Sequence, residues 1–353
     1  MAYETLQLAV RALSDGTNEV LFDDLGQPSV MVRIDKVYCD ELIPGMPHIV
    51  HPAFIVGGKE VECVYVSKYP NIIRDDRAYS LPMQHPAGFL TQDTAAAVCK
   101  NKGRGWGLIP VSLWSVLALS CKQNRTEPRG NNHRGSARQY PNERGIVTGT
   151  ESGLPSETAT GSGPLSWYHN GSASGLADVV GNVSEWNAGM RLCRGELQII
   201  ENADVILPEV SLAEDSDAWR AILPDGTLVK PGTADNTLKI DMENGRWKIS
   251  TKVTDAVDDA RGGLFRDMFY DPAELPNGIP DLLKLLTVYP ADEDRASYAE
   301  DLIFANNAQA ERICLRGGNW SSGPHSGVFY YAMDAKRNRQ VPRLGFRSVY
   351  YPV

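Results

Sequence analysis

Few residues in this 353-residue chain have the types and spacing that catalysis needs. The six cysteines (Cys39, Cys63, Cys99, Cys121, Cys193 and Cys314) are scattered without a CxxC pair, and none of the six histidines falls at a zinc-type spacing with them. Reduced, mostly buried thiols are expected, with no metal and no cofactor. Acidic loops are present, but no tight Asp/Glu/Asn cluster of the calcium-binding kind is visible. The tail instead suits contact. Residues 316–353 carry six basic side chains (Arg316, Lys336, Arg337, Arg339, Arg343, Arg347) against one acid, Asp334, in a chain of formal net charge −9. Tyr330, Tyr331 and His325 add the amphipathic area that binding surfaces favour, although strand alternation would bury one of the two tyrosines.

These residues need a scaffold, and the composition allows one. Hydrophobic residues make up 42% of the chain, enough for a sizeable core, while 32 glycines and 22 prolines favour a turn-rich fold. The acidic balance, with no RNP, zinc or helix-turn-helix pattern, argues against nucleic acid as a partner. Glu4, Arg11, Asp15 and Glu19 interrupt the start, so no Sec signal peptide is expected, and no window reaches the ~18 apolar residues of a membrane span.

Residues 1–36 read as two strands joined by an Asp-Leu-Gly-Gln-Pro turn, an accessory or assembly segment. The main domain follows over 37–353. Phe54-Ile-Val, Gly57-Gly58 and Cys63-Val-Tyr-Val predict a hairpin. A helix is expected over 91–100 with Thr91 as its cap. A second runs over 112–122, where Trp114, Leu117, Ala118 and Cys121 recur on one face. Residues 123–175 are polar loops. Residues 196–310 are acidic and read as an insertion, with a hairpin turn at Pro224-Asp225-Gly226 and a short helix at Asp281-Leu-Leu-Lys-Leu-Leu. The class is α+β.

Two segments say more. The first is Gly175-Leu-Ala-Asp-Val-Val-Gly-Asn-Val-Ser-Glu-Trp186; the second is Leu315-Arg-Gly-Gly-Asn-Trp320, followed by Leu344-Gly-Phe-Arg347. Their chemistry is that of a scaffold. Gly181, Gly317, Gly318 and Gly345 permit close approaches. Trp186, Trp320 and Phe346 supply apolar bulk. Asn182 offers hydrogen bonds, and Glu185 beside Arg316 or Arg347 would form a charge-assisted pair.

Together these motifs resemble the signature of the formylglycine-generating-enzyme (sulfatase-modifying factor) subclass of the C-type lectin fold, over roughly residues 50–195 and 311–353. The resemblance implies a small twisted antiparallel sheet, two helices and long loops. Enzymes of that family would need a cysteine pair just after the Arg-Gly-Gly-x-Trp motif. Here that stretch is Ser321-Ser-Gly-Pro-His-Ser326, and His325 has no clustered partner for iron, so a binding protein rather than an enzyme is expected.

The tail also resembles the variable proteins of diversity-generating retroelements. That resemblance implies a ligand- or receptor-binding protein with a variable segment at about 316–347, and diversified positions at Ser321, Ser322, His325, Tyr330, Ala332, Asp334, Ala335, Arg339, Val341 and Arg343. All ten are reachable from an AAC codon randomised at both adenines; Met333, Lys336 and Gln340 are not, and should be fixed. The implied partner is a protein or glycan on a host or neighbouring cell, met from a phage tail or a bacterial surface, with a homo-oligomer allowed. The alternatives are a formylglycine-generating-enzyme-like oxidoreductase or enzyme-associated subunit, and a calcium-dependent sugar lectin.

Overall fold

Val64 and Val66 alternate with half-buried neighbours along strand Cys63–Ser67, and both are fully buried. A strand patterned this way needs partners on each side. In the computed structural model, which describes residues 2–353 and side chains from Glu4 onward, Val66 faces Val32 of strand Pro28–Asp35 on one side and Val349 of strand Ser348–Tyr350 on the other. The hairpin expected at 54–66 is therefore corrected. Only Ile55–Val56 and Lys59–Glu60 pair across the glycine turn, and Cys63–Ser67 leaves for this larger sheet.

That sheet has five strands in the order Asn18–Phe22, Pro28–Asp35, Cys63–Ser67, Ser348–Tyr350, Trp106–Leu108. The lead segment thus contributes two strands to the same sheet as the last strand of the chain, with Cys63–Ser67 between them. It also contains a helix, Ala2–Leu13, where the sequence reading placed no element.

A second sheet of twelve strands is built around Ser184–Cys193, the strand that carries Glu185 and Trp186. Arg312–Arg316 lies antiparallel to it and Leu344–Phe346 parallel, so the two tail motifs flank the first motif directly. Strands from 196–310 extend this sheet on both sides. Glu196–Ile200 continues it from one edge, and Leu302–Ala305 pairs in parallel with Tyr331–Ala335 at the other. The hairpin about Asp225-Gly226 and the helix Asp281–Leu285 form where the sequence placed them.

Helix Gln92–Lys100 starts at Thr91, whose hydroxyl accepts the Thr94 amide at 3.0 Å, and helix Val111–Asn124 is buried along nearly its whole length. The class is mixed α+β, mostly sheet with few helices and no closed barrel among the described residues. All six cysteines are free, and no described helix is long and apolar enough to cross a membrane.

The open choice at Glu185 goes to Arg347. The carboxylate accepts from Arg347 Nη2 at 2.8 Å and Nε at 2.9 Å, and both side chains are fully buried. Arg347 also donates to the carbonyls of Ser67 (2.9 Å), Lys68 (3.0 Å) and Ala177 (2.8 Å), so one guanidinium ties both sheets and the first motif together. Burial pushes the Glu185 carboxyl up and Arg347 pulls it back. Arg316 takes another path. It is fully buried above the Tyr331 ring and donates to Thr287 Oγ1 and to the Leu286 carbonyl.

Candidate ligand-binding cleft

The tail motif ends in a tight turn that creates a concave surface. Gly317 sits at φ +80°, and a Cβ there would press on the Val179 carbonyl and the Trp114 ring. The turn sends Trp320 into the core, where it is fully buried. Its backbone amide donates to Asn182 O (3.1 Å), and its carbonyl accepts the Arg134 amide (2.9 Å). Asn182, in turn, pins the polar loop, accepting the Thr158 amide at 2.8 Å and donating to its carbonyl at 3.0 Å.

After Trp320 the chain surfaces. Ser321 donates to Asn319 Oδ1 through both its amide (3.0 Å) and its hydroxyl (2.8 Å), and Ser322 Oγ accepts the Asn319 amide at 3.0 Å. A single turn of 3-10 helix, Gly323–His325, then carries His325 with Nδ1 3.2 Å from Glu300 O.

Eight of the ten candidate variable residues converge on one cleft of about 350 Å³: Ser321, Ser322, His325, Tyr330, Ala332, Asp334, Arg339 and Arg343. Asn319, Ser184, Leu315 and Leu344 of the scaffold form its floor. Ala260, Leu302 and Phe304 supply a wall from the insertion, held there because Phe304 pairs with Ala332 across the parallel strands. The sequence reading did not anticipate these three. The signal for Leu302 and Phe304 was the apolar run Leu302-Ile-Phe-Ala, a strand by composition.

Two candidates, Ala335 and Val341, lie outside the cleft. Ala335 is fully buried, opposite Ile313 on the neighbouring strand, and does not line the cleft as Ala332 does. Val341 packs half-buried on the core, and its carbonyl accepts the Phe89 amide at 3.1 Å, fixing the neighbouring loop. Strand alternation predicts burial of one tyrosine of the pair, but both are buried: Tyr331 is core, its hydroxyl donating to Val288 O at 3.0 Å, and Tyr330 packs on the same core while lining the cleft, its ring 6.1 Å from Phe304.

Tyr330 is nevertheless only 7% exposed. Tyr330→Ala is therefore expected to lose about 3 kcal/mol of stability, the scale of a large core truncation. The rim changes Ser321→Ala and His325→Ala should stay within about 0.5 kcal/mol. Urea unfolding of the three variants checks this order.

Asp301, also unforeseen, anchors the tail segment just before Tyr330 from the insertion side. Its buried carboxylate accepts the Phe329 amide at 2.8 Å, and a Cβ on Gly327 would overlap it. Burial pushes this carboxyl up to about 7; Glu127 adds to the push, and the Phe329 and Tyr330 amides and Arg316 oppose it. A carboxyl raised above its unfolded value of 3.8 stabilises the fold fully below about pH 4 and loses that contribution as pH rises through about 7. The unfolding midpoint of the protein should thus fall between pH 5 and pH 8, and Asp301→Asn should fall less. Equal pH slopes for the two proteins would rule out this role for Asp301.

Among the described residues, no group of three or more His, Cys, Asp or Glu is arranged to hold a metal ion. No family model matches the chain, and no curated protein matches it. Among solved structures, PvdO from Pseudomonas aeruginosa aligns with 94% of this chain and 97% of its own length at 13% identity and a TM-score of 0.37. Variable protein 1 of Treponema denticola aligns with 95% of this chain and 99% of its own at 11% identity and a TM-score of 0.34.

Proposed function

We propose that this chain is a ligand-binding protein of the C-type-lectin-like type whose cleft side chains are exchanged by a diversity-generating retroelement. The observation that carries the reading is the convergence of eight separated tail positions on one cleft, above a floor that includes Leu315, Asn319 and Leu344 of the two tail motifs. A site of this design can vary its rim without reordering its backbone. The Gly317 turn, the Trp320 anchor and the Glu185–Arg347 pair hold the backbone under the rim positions, while Tyr330 and Ala332 are themselves packed on the core.

The same arrangement disfavours an enzyme. Ser321 and Ser322 occupy the stretch where the resembled oxidases place thiols, and their hydroxyls are engaged with Asn319. Display on a phage tail or a bacterial surface fits a binding role, and several copies on one particle would multiply a weak single-site affinity.

Sequencing the DNA around the gene tests the proposal. A reverse-transcriptase gene and a near-copy of the codons for residues 316–353, differing only at template adenines, are expected. The differences should fall on the eight cleft positions and spare Met333, Lys336 and Gln340. Absence of any such copy would sink the retroelement reading.

A further inference from the structure

The cleft's own polar groups are mostly engaged with one another. The Ser321 and Ser322 hydroxyls serve Asn319, Asp334 is paired with Arg339 at 3.1 Å, and His325 meets the Glu300 carbonyl. Arg343 differs. It lines the cleft half-buried, yet among the described residues its guanidinium makes no hydrogen bond or ion pair. A partly desolvated guanidinium with five open donors is half of a charge-assisted pair, and its natural complement is a carboxylate.

The facing wall from the insertion is apolar, made by Leu302 and Phe304, with the Tyr330 ring beside it. Resting on the reading of this cleft as the ligand site, we infer that it takes an acidic peptide segment, a carboxylate received by Arg343 with an adjacent apolar side chain seated on Phe304. A sugar presents hydroxyls on most of its surface and would find few open partners here. A cleft of about 350 Å³ lies at the small end of ligand sites (~300–1,000 Å³), a fit for one or two side chains of a bound segment.

One side of the rim is basic. The loop bearing Arg134 and Arg138 is fastened to the cleft rim by the Arg134 amide on Trp320 O and by the Gly323 amide on Asn132 O (2.9 Å each). Neither arginine has an acidic partner among the described residues: Arg138 meets His133 Nε2 at 3.1 Å, and Arg134 lies over the Trp320 ring. These charges would steer an acidic segment toward the rim of an otherwise acidic protein.

The test uses the full chain and a displayed library of random heptapeptides. Enriched peptides are expected to carry Asp or Glu next to Phe, Tyr or Leu. Changing that acid to its amide should weaken binding about tenfold or more, the loss of a hydrogen-bonded charge. Arg343→Gln should do the same, Arg343→Lys should restore part of it, and Ser321→Trp, which fills the cleft from an exposed rim position, should abolish binding. Peptides that are lost with Ser321→Trp but show no acidic bias, or that ignore Arg343→Gln, would overturn the acidic-ligand inference and leave the cleft as a ligand site. No enrichment, or binding indifferent to Ser321→Trp, would overturn both.

Discussion

Arg347→Met is expected to remove about 3–5 kcal/mol of stability, because it leaves Glu185 as a buried charge without a counter-ion. The loss has a second part. The carbonyls of Ser67, Lys68 and Ala177 would each lose a donor in a place water does not reach. Glu185→Gln should be milder, since a neutral amide oxygen still accepts from Arg347 and the three carbonyl contacts persist. The double change Glu185→Leu with Arg347→Met should recover part of the single-mutant loss, as replaced buried pairs commonly do. Equilibrium urea unfolding of the three variants reads this pattern. If Arg347→Met stayed within about 1 kcal/mol of the unmodified protein, the pair would not be the fastening between the two sheets.

How far the sequence could be read follows from where information is local. Gly317 needs its positive φ whatever surrounds it, and Trp186, Trp320 and Arg347 are buried at positions their motifs mark, so the framework under the cleft was legible. The helix capped by Thr91 and the turn at Asp225-Gly226 carry their signals within a few residues and form as expected.

What was not legible depended on partners distant in the chain. Cys63–Ser67 reads equally well as half of a hairpin, and only the strands at 28–35 and 348–350 decide otherwise. Ala335 satisfies the codon rule as well as Ala332 does, yet only Ala332 reaches the cleft, whose other wall comes from the distant strand Leu302–Ala305. The choice of Arg347 over Arg316 by Glu185 is of the same kind: Arg316 is the cross-strand neighbour, yet its side chain turns to Thr287 from the insertion. The insertion's wall, Leu302 and Phe304, belongs to the cleft only because its strand docks in parallel on Tyr331–Ala335.

Trp186→Ala is expected to match the Arg347 change in size, about 3–5 kcal/mol, by a different mechanism. The indole is fully buried, opposite Leu315 on one neighbouring strand and Phe346 on the other, so its removal opens a cavity between both tail motifs. Its Nε1 also donates to the Leu90 carbonyl at 3.0 Å, holding the loop that precedes helix Gln92–Lys100. Trp186→Phe separates the two contributions. It keeps most of the ring area and gives up the hydrogen bond, so a loss of about 1–3 kcal/mol is expected. The consequence for the cleft is specific. Leu315 and Leu344, which form its floor, lie on the two strands that flank Trp186. Near the unfolding midpoint of Trp186→Ala, hydrogen exchange should therefore show the Arg312–Arg316 and Leu344–Phe346 strands opening together. Opening of the rim residues 321–325 alone, with both strands still protected, would mean that the cleft does not depend on this side chain.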